Sequence, residues 1–262
     1  MTQLIILAAG KGDRLKPLTQ DKPKCLVELH GRSLLHWNLH VASKFNIEDI
    51  IIVKGYQQDK IQLDHCRSCI NEDFENTNMV HTLWCASSEF QNDVIVSYGD
   101  IVYDESVLES IIHSEHDISV AIDLSWLPYW QRRFSNPLVD AESLQLDSSR
   151  RIIEIGQKPD DLFSIQGQFI GLMRFQGEGI RTLCGFYDLS KRAYSQGKNY
   201  FRCRRPFRQL YMTDFLQGMI DFGYDVYAVP IQRKWLEIDT VCDYELAHDM
   251  TSVENLELKF LL

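Results

Sequence analysis

Five cations fall between residues 11 and 24: Lys11, Arg14, Lys16, Lys22 and Lys24. They surround Gly10 and Gly12 in the run Leu7-Ala8-Ala9-Gly10-Lys11-Gly12-Asp13-Arg14-Leu15. Glycines permit turns that point successive backbone N–H groups inward, and small neighbours let an anion approach the chain closely. Such a run binds phosphate. Three carboxylates elsewhere are placed to hold a hard cation. Asp100 follows the apolar run Val94 to Tyr98, and Glu237 and Asp239 stand two apart in Trp235-Leu236-Glu237-Ile238-Asp239-Thr240. On a strand, an i, i+2 pair shares one face. Oxygen donors of this kind suit magnesium.

The surrounding pattern supplies elements to carry these groups. Leu4 to Leu7 is a continuous apolar run of the kind found in buried parallel strands. Further strands are expected over 49–53, 94–98, 118–122, 151–155, 169–175, 225–229 and 235–238. Helices are expected over 33–45, 79–87, 105–113, 177–195, 211–222 and 241–250. Ser33 is placed to cap the first of these and Asp104 the third. Residues 124–137 are aromatic and proline-bearing, without a clean period. The alternation predicts an α/β fold: a Rossmann-like, mostly parallel (mixed) sheet flanked by helices. Ligands in such sheets bind beyond the carboxyl ends of the strands, where Gly10, Gly12 and Asp100 all lie. No linker or repeat divides the chain. One domain over 1–262 is expected, with an insertion built on the same sheet.

Composition excludes several partners. The net charge is −10, which disfavours nucleic acid and anionic membrane surfaces. No apolar run approaches the length of a membrane span, and the N-terminus lacks the pattern of a signal peptide. Seven scattered cysteines fit free thiols in a cytoplasmic setting. Cys66-Arg67-Ser68-Cys69 has C-x-x-C spacing but no second ligand pair, so it reads as structural. The loop lacks the third glycine of a dinucleotide fingerprint, because residue 15 is Leu15, and it lacks the Walker pattern.

The opening run, continued through Lys16-Pro17-Leu18-Thr19 and Lys22-Pro23-Lys24-Cys25-Leu26, resembles the signature of the sugar-nucleotidyltransferase-like superfamily. Other stretches resemble its phosphocholine and aminoethylphosphonate cytidylyltransferase branch. They are Asn78-Met79-Val80, Asn136-Pro137-Leu138, Asp140-Ala141-Glu142, Gly167-Gln168-Phe169-Ile170-Gly171-Leu172, Met212-Thr213-Asp214 and Glu237-Ile238-Asp239-Thr240.

The resemblance implies transfer of CMP from CTP to a small anionic phospho- or phosphono-acceptor, with magnesium as cofactor and release of pyrophosphate. A sugar-1-phosphate nucleotidyltransferase using UTP, dTTP or GTP is the alternative, and a catalytically silent relative is a second one. The half up to about residue 123 would bind nucleotide, and the half from about 124 would bind acceptor. Leu7, Ala8, Ala9, Gly10 and Gly12 would hold base and ribose, with Asn78 and Asp100 also on the nucleotide. Arg14 would grip the leaving phosphates, and Lys24 would sit between the α-phosphate and the incoming phosphate. Asp100, Glu237 and Asp239 would form the metal cage. Lys158 would meet the acceptor's phosphate, with Trp130 and Gln168 on the rest of it. The resemblance allows a homodimer, and it links such chemistry to cell-surface polysaccharide biosynthesis. In sugar-specific relatives a glutamate precedes the Lys-Pro of the acceptor loop; here that position is Gln157.

Trp126 and Trp130 offer an aromatic wall for a quaternary amine. Arg132 and Arg133 would oppose such a cation unless they point away. The run Arg202, Arg204, Arg205 and Arg208 reads as a solvated face or as an anion contact.

Overall fold

The first strand, β1 (Gln3–Ala8), is buried along its whole length, as its apolar run requires. In the computed structural model, which describes residues 2–261, it is an interior strand of a seven-stranded sheet. The other strands are β2 (Asp49–Lys54), β3 (Arg67–Ile70), β4 (Asp93–Tyr98), β5 (Ile118–Asp123), β6 (Gln168–Gln176) and β7 (Tyr227–Ile231). Their spatial order is β7-β5-β6-β4-β1-β2-β3. Strand β6 alone runs against its neighbours, β4 and β5; the other pairings are parallel. The expected mostly parallel, mixed sheet is therefore present. The strands of the second half complete the sheet begun by the first.

Alternation along the strands sends side chains to two cores. Leu4 and Ile6 face one core, with helices α1 (Leu34–Lys44), α3 (Glu105–Ile112) and α4 (Trp126–Arg133). Ile5 and Leu7 face the other, with α2 (Met79–Trp84), α5 (Glu178–Ser195) and α6 (Met212–Asp221). The last helix, α7 (Val241–Met250), packs with the first group through Ala247 and Met250. Ser33 caps α1 and Asp104 caps α3 through their side chains.

Three elements depart from the sequence expectation. Residues 126–133 form α4, although Pro128 interrupts the pattern. Pro128 sits in the first turn, where a backbone N–H has no helical partner to lose. The chain continues past α7 into a hairpin, Thr251–Glu254 with Glu257–Phe260. Its turn places Asn255 and Leu256 at positive φ, a geometry that Asn-Gly would announce and Asn-Leu does not. The C-x-x-C segment lies along the edge strand β3, and no group of three or more metal-binding side chains gathers around it among the described residues.

A short antiparallel ribbon matters most for the site. Ile101–Tyr103 pairs with Trp235–Glu237, placing Glu237 opposite Ile101. The backbone N–H of Ile238 donates to the Asp100 carbonyl at 3.0 Å. The turn after β4 is thereby fastened to a segment well over a hundred residues downstream.

Candidate active site

The loop after β1 forms one wall of a cavity of about 380 Å³. Leu7, Ala9, Gly10 and Gly12 line it, as do Arg14, Lys24, Asn78 and Asp100. Ala8 does not: its side chain packs into the core below the sheet. Gly12 has φ +69, and a Cβ there would lie 2.9 Å from the Lys24 Cβ. The loop thus turns tightly against the residue that carries the buried cation. Asn78 spends its side chain capping α2 while also facing the cavity.

A second cavity, of about 260 Å³, shares Arg14, Met79, Tyr98, Tyr211 and Asp239 with the first. Its far wall carries Trp130, Gln168, Asp140, Glu142 and Glu237. Tyr98 stands between the two cavities because β6 makes room for it. Gly171 has φ +84, and a Cβ there would fall 2.7 Å from the Tyr98 ring. The register of β6 against β5 also shifts between Phe169 and Met173.

Lys24, on the first cavity, lies against Asp239 at the junction. Its side chain is 11% exposed, and its ammonium donates to Asp100 Oδ2 at 2.6 Å and to Asp239 Oδ1 at 2.5 Å. Arg14 pairs with the other oxygen of Asp239. Burial disfavours the charged ammonium, but attraction to Asp100 and Asp239 outweighs it and holds the Lys24 pKa above its ordinary value. Burial opposes the charge of Asp239 as well. The nearby Lys24 outweighs that effect and keeps the carboxyl below its usual range.

The three carboxylates expected to form a metal cage all lie near Lys24, but Glu237 and Asp239 do not share a strand face. Glu237 ends its strand and turns to Arg133 at 2.8 Å, whereas Asp239 lies past the strand, in the turn before α7. Lys24 occupies the space between Asp100 and Asp239. The expected place of Lys158 is corrected. It lines neither cavity, and its ammonium donates to the carbonyls of Leu138 and Val139. Trp130 and Gln168 do face the second cavity. Trp126 is buried beneath Trp130 and serves the core.

The sequence reading assigned no role to Glu142, Asp140, Thr213 or Tyr211. Asp140, Glu142 and Thr213 belong to stretches resembling the cytidylyltransferase branch, whereas Tyr211 lies just before one of them. Glu142 is the most distinctive of them. Burial raises its carboxyl pKa, Thr213 lowers it by a hydrogen bond, and Asp214 and Asp140 raise it again, leaving it at about 7. The arginine run turns outward: Arg202 pairs with Asp221 and Glu154, and Arg208 with Asp73. Arg205 pairs with Asp214 and lies 4.1 Å from the Tyr211 ring centroid, behind the cavity wall.

Two adjoining cavities, with a glycine loop on one and a cation between carboxylates at the junction, suit the joining of two phosphorylated molecules. The sequence agrees. Residues 4–154 match the MobA-like NTP transferase domain. The chain belongs to this family.

Relatives extend the likeness along the whole length. The chain is 35% identical over 255 residues to a CTP:phosphoglutamine cytidylyltransferase of Campylobacter jejuni, covering 92% of this chain and 97% of the relative. Among solved structures, the CTP:phosphocholine cytidylyltransferase of Streptococcus pneumoniae superposes with a TM-score of 0.65 at 20% identity. That match covers 95% of this chain and 98% of the other. The inositol-1-phosphate CTP transferase of T. maritima gives 0.69 at 22% identity, with 94% of each chain covered. These two superpositions show the shared fold.

Proposed function

We propose that this chain transfers CMP from CTP to a small phosphorylated head group that carries an ammonium, such as a phosphorylated amino acid. The observation that carries this is the pair of cavities that share Arg14 and Asp239, with the Lys24 ammonium in the first cavity held against Asp239. The first cavity accepts the nucleotide against the glycine loop. The second accepts the head group, and its phosphate reaches the junction. An ionised oxygen of the acceptor phosphate attacks the α-phosphorus, a new P–O bond forms, and the bond to pyrophosphate breaks. No proton need be removed from the nucleophile, so the protein's work is alignment and charge neutralisation.

Support for the ammonium comes from the far wall of the second cavity. Asp140 and Glu142 stand there with the Trp130 ring, and Lys158 is directed elsewhere. Carboxylates and an indole face together favour a cation. Arg133, which would oppose one, is neutralised by Glu237 and Asp243. Arg132 lies on a separate small cavity. The full-length similarity to the phosphoglutamine enzyme supports the same reading.

We propose magnesium as the cofactor. Arg14 and Lys24 are already matched by Asp100 and Asp239, so a triphosphate calls for further positive charge. Asp100 Oδ1 is buried without a hydrogen-bond partner, and hard carboxylate oxygens suit this ion. Asp100 and Asp239 would hold it, and when bound it supplies charge neutralisation to the phosphates. A cytoplasmic location is proposed on the seven free cysteines; no helix among the described residues is long and apolar enough to cross a membrane.

The test is pyrophosphate release across the four triphosphates, each paired with phosphoglutamine, phosphocholine, aminoethylphosphonate and glucose-1-phosphate. Turnover is expected with CTP and an ammonium-bearing acceptor. Turnover confined to glucose-1-phosphate would refute the reading.

A further inference from the structure

Arg133 is the last residue of α4, yet its side chain is only 1% exposed. Its guanidinium spans two elements. Nη2 lies 2.8 Å from Glu237 Oε2, and Nε donates to Asp243 Oδ1 at 2.8 Å. Asp243 in turn accepts from the backbone N–H groups of Asp239 at 3.3 Å and Thr240 at 2.9 Å. One turn earlier on α4, the Tyr129 hydroxyl donates to the Glu237 carbonyl and accepts from the Glu237 N–H, both at 3.1 Å. Between them, the two side chains hold Glu237 by backbone and carboxylate, and Asp239 through Asp243.

The same helix carries Trp130, whose ring faces the acceptor cavity and whose Nε1 donates to Asp140 at 3.0 Å. The guanidinium carbon of Arg133 lies 5.3 Å from the centroids of both the Tyr129 and Trp130 rings. Helix α4 therefore touches the acceptor cavity on one side and the Glu237–Asp239 segment on the other.

Stability alone is a poor account of this arginine. A buried ion-paired cluster is often no more stabilising than apolar residues of similar volume. Here the Nη1 group is also buried without a hydrogen-bond partner among the described residues, which adds a desolvation penalty. What the fork geometry supplies is direction, because a planar guanidinium fixes two carboxylates relative to one another.

We propose that Arg133 is a positioning residue that ties the acceptor-binding face of α4 to the Glu237–Asp239 segment. Through it, the place of the acceptor and the place of Asp239 at the junction are set together. Tyr129 is the second member of the clamp. The proposal rests on the cytidylyltransferase reading above. Wild-type protein inactive with every CTP and acceptor pair would fail that reading, whereas active wild type with unaffected variants would fail the clamp alone.

The experiment compares wild type with Arg133→Met, Arg133→Lys and Tyr129→Phe. Four quantities are read: melting temperature, CTP affinity by calorimetry without acceptor, acceptor KM, and kcat per folded molecule. For Arg133→Met, kcat is expected to fall about tenfold to a hundredfold, the range typical of misplacement at a distance from the chemistry. Acceptor KM rises by more than CTP affinity falls, because Asp239 is the one residue of the clamped segment that lines the nucleotide cavity. Arg133→Lys restores part of kcat, as it keeps the charge but not the fork. A lower melting temperature with wild-type kcat and acceptor KM per folded molecule would overturn the proposal. Should Arg133→Met not fold, Tyr129→Phe decides alone. It removes one oxygen from the clamp, and an unchanged kcat and acceptor KM in that variant would equally overturn it.

Discussion

Lys24 and Asp239 stand 215 positions apart in the chain, and the ammonium of one lies 2.5 Å from a carboxylate oxygen of the other. Lys24 follows the phosphate loop, and Asp239 follows the ribbon that pairs Trp235–Glu237 with Ile101–Tyr103. Their contact lies beside the boundary between the proposed nucleotide and acceptor cavities, both of which Asp239 lines. A cation held there is fixed before either substrate arrives, so little reorganisation is needed when charge shifts to the leaving pyrophosphate.

Lys24→Met should therefore abolish most turnover. Loss of one preorganised charge contact costs roughly 10²–10³ in kcat. The Asp100 and Asp239 carboxylates would also lose their shared counter-charge, so the melting temperature should fall as well. Steady-state kinetics and thermal unfolding check both. A kcat within a factor of about two of wild type would show that Lys24 does not act on the reacting phosphates.

Asp100→Asn should raise the magnesium concentration needed for half-maximal turnover by about tenfold, as neutralising one ligand oxygen weakens a hard-cation site. Calorimetric titration of magnesium into the CTP-loaded protein should show the same weakening. An unaltered magnesium response would remove Asp100 from the proposed metal site.

The acceptor KM should depend on pH through Glu142. Burial and the neighbouring Asp214 and Asp140 hold its carboxyl at about 7, so it is mainly neutral at pH 6 and mainly ionised at pH 8. An ammonium-bearing acceptor binds better to the ionised form, so KM should fall as pH rises across this window. Glu142→Gln removes the titration and should flatten that part of the profile. The acceptor phosphate titrates nearby and burial also pushes Glu237, on the same cavity, up to about 7, so the difference between wild type and variant isolates the part of the slope that belongs to Glu142. If wild type and variant show the same slope, Glu142 does not read the acceptor.

Lys158→Ala should leave acceptor KM and kcat within about twofold of wild type, as substitutions at exposed positions usually do. The resemblance alone would predict a large loss, since it places this lysine on the acceptor's phosphate. The structure instead turns its ammonium to the Leu138 and Val139 carbonyls. A rise of tenfold or more in acceptor KM would restore the expectation drawn from sequence.

The β1 strand, the glycine loop with its cations, and most of the helices and strands, though not β3 or α4, are legible in the residues alone. These are local properties: apolar periodicity, turn residues and charge density are written in neighbouring positions. The sequence also marked Asp100, Glu237 and Asp239 as carboxylates near strand ends. What those carboxylates face depends on the folded chain. Spacing placed Glu237 and Asp239 on one side of a strand, but the strand stops at Glu237 and the chain turns. Glu237 then meets Arg133, and Asp239 meets Lys24 and Arg14. Each of these pairings closes over a hundred residues or more of intervening chain, so no window of sequence contains both partners. Pro128 hid α4 from periodicity for a related reason. A proline is a helix breaker in the interior but harmless in the first turn, and only the folded chain shows which position it holds.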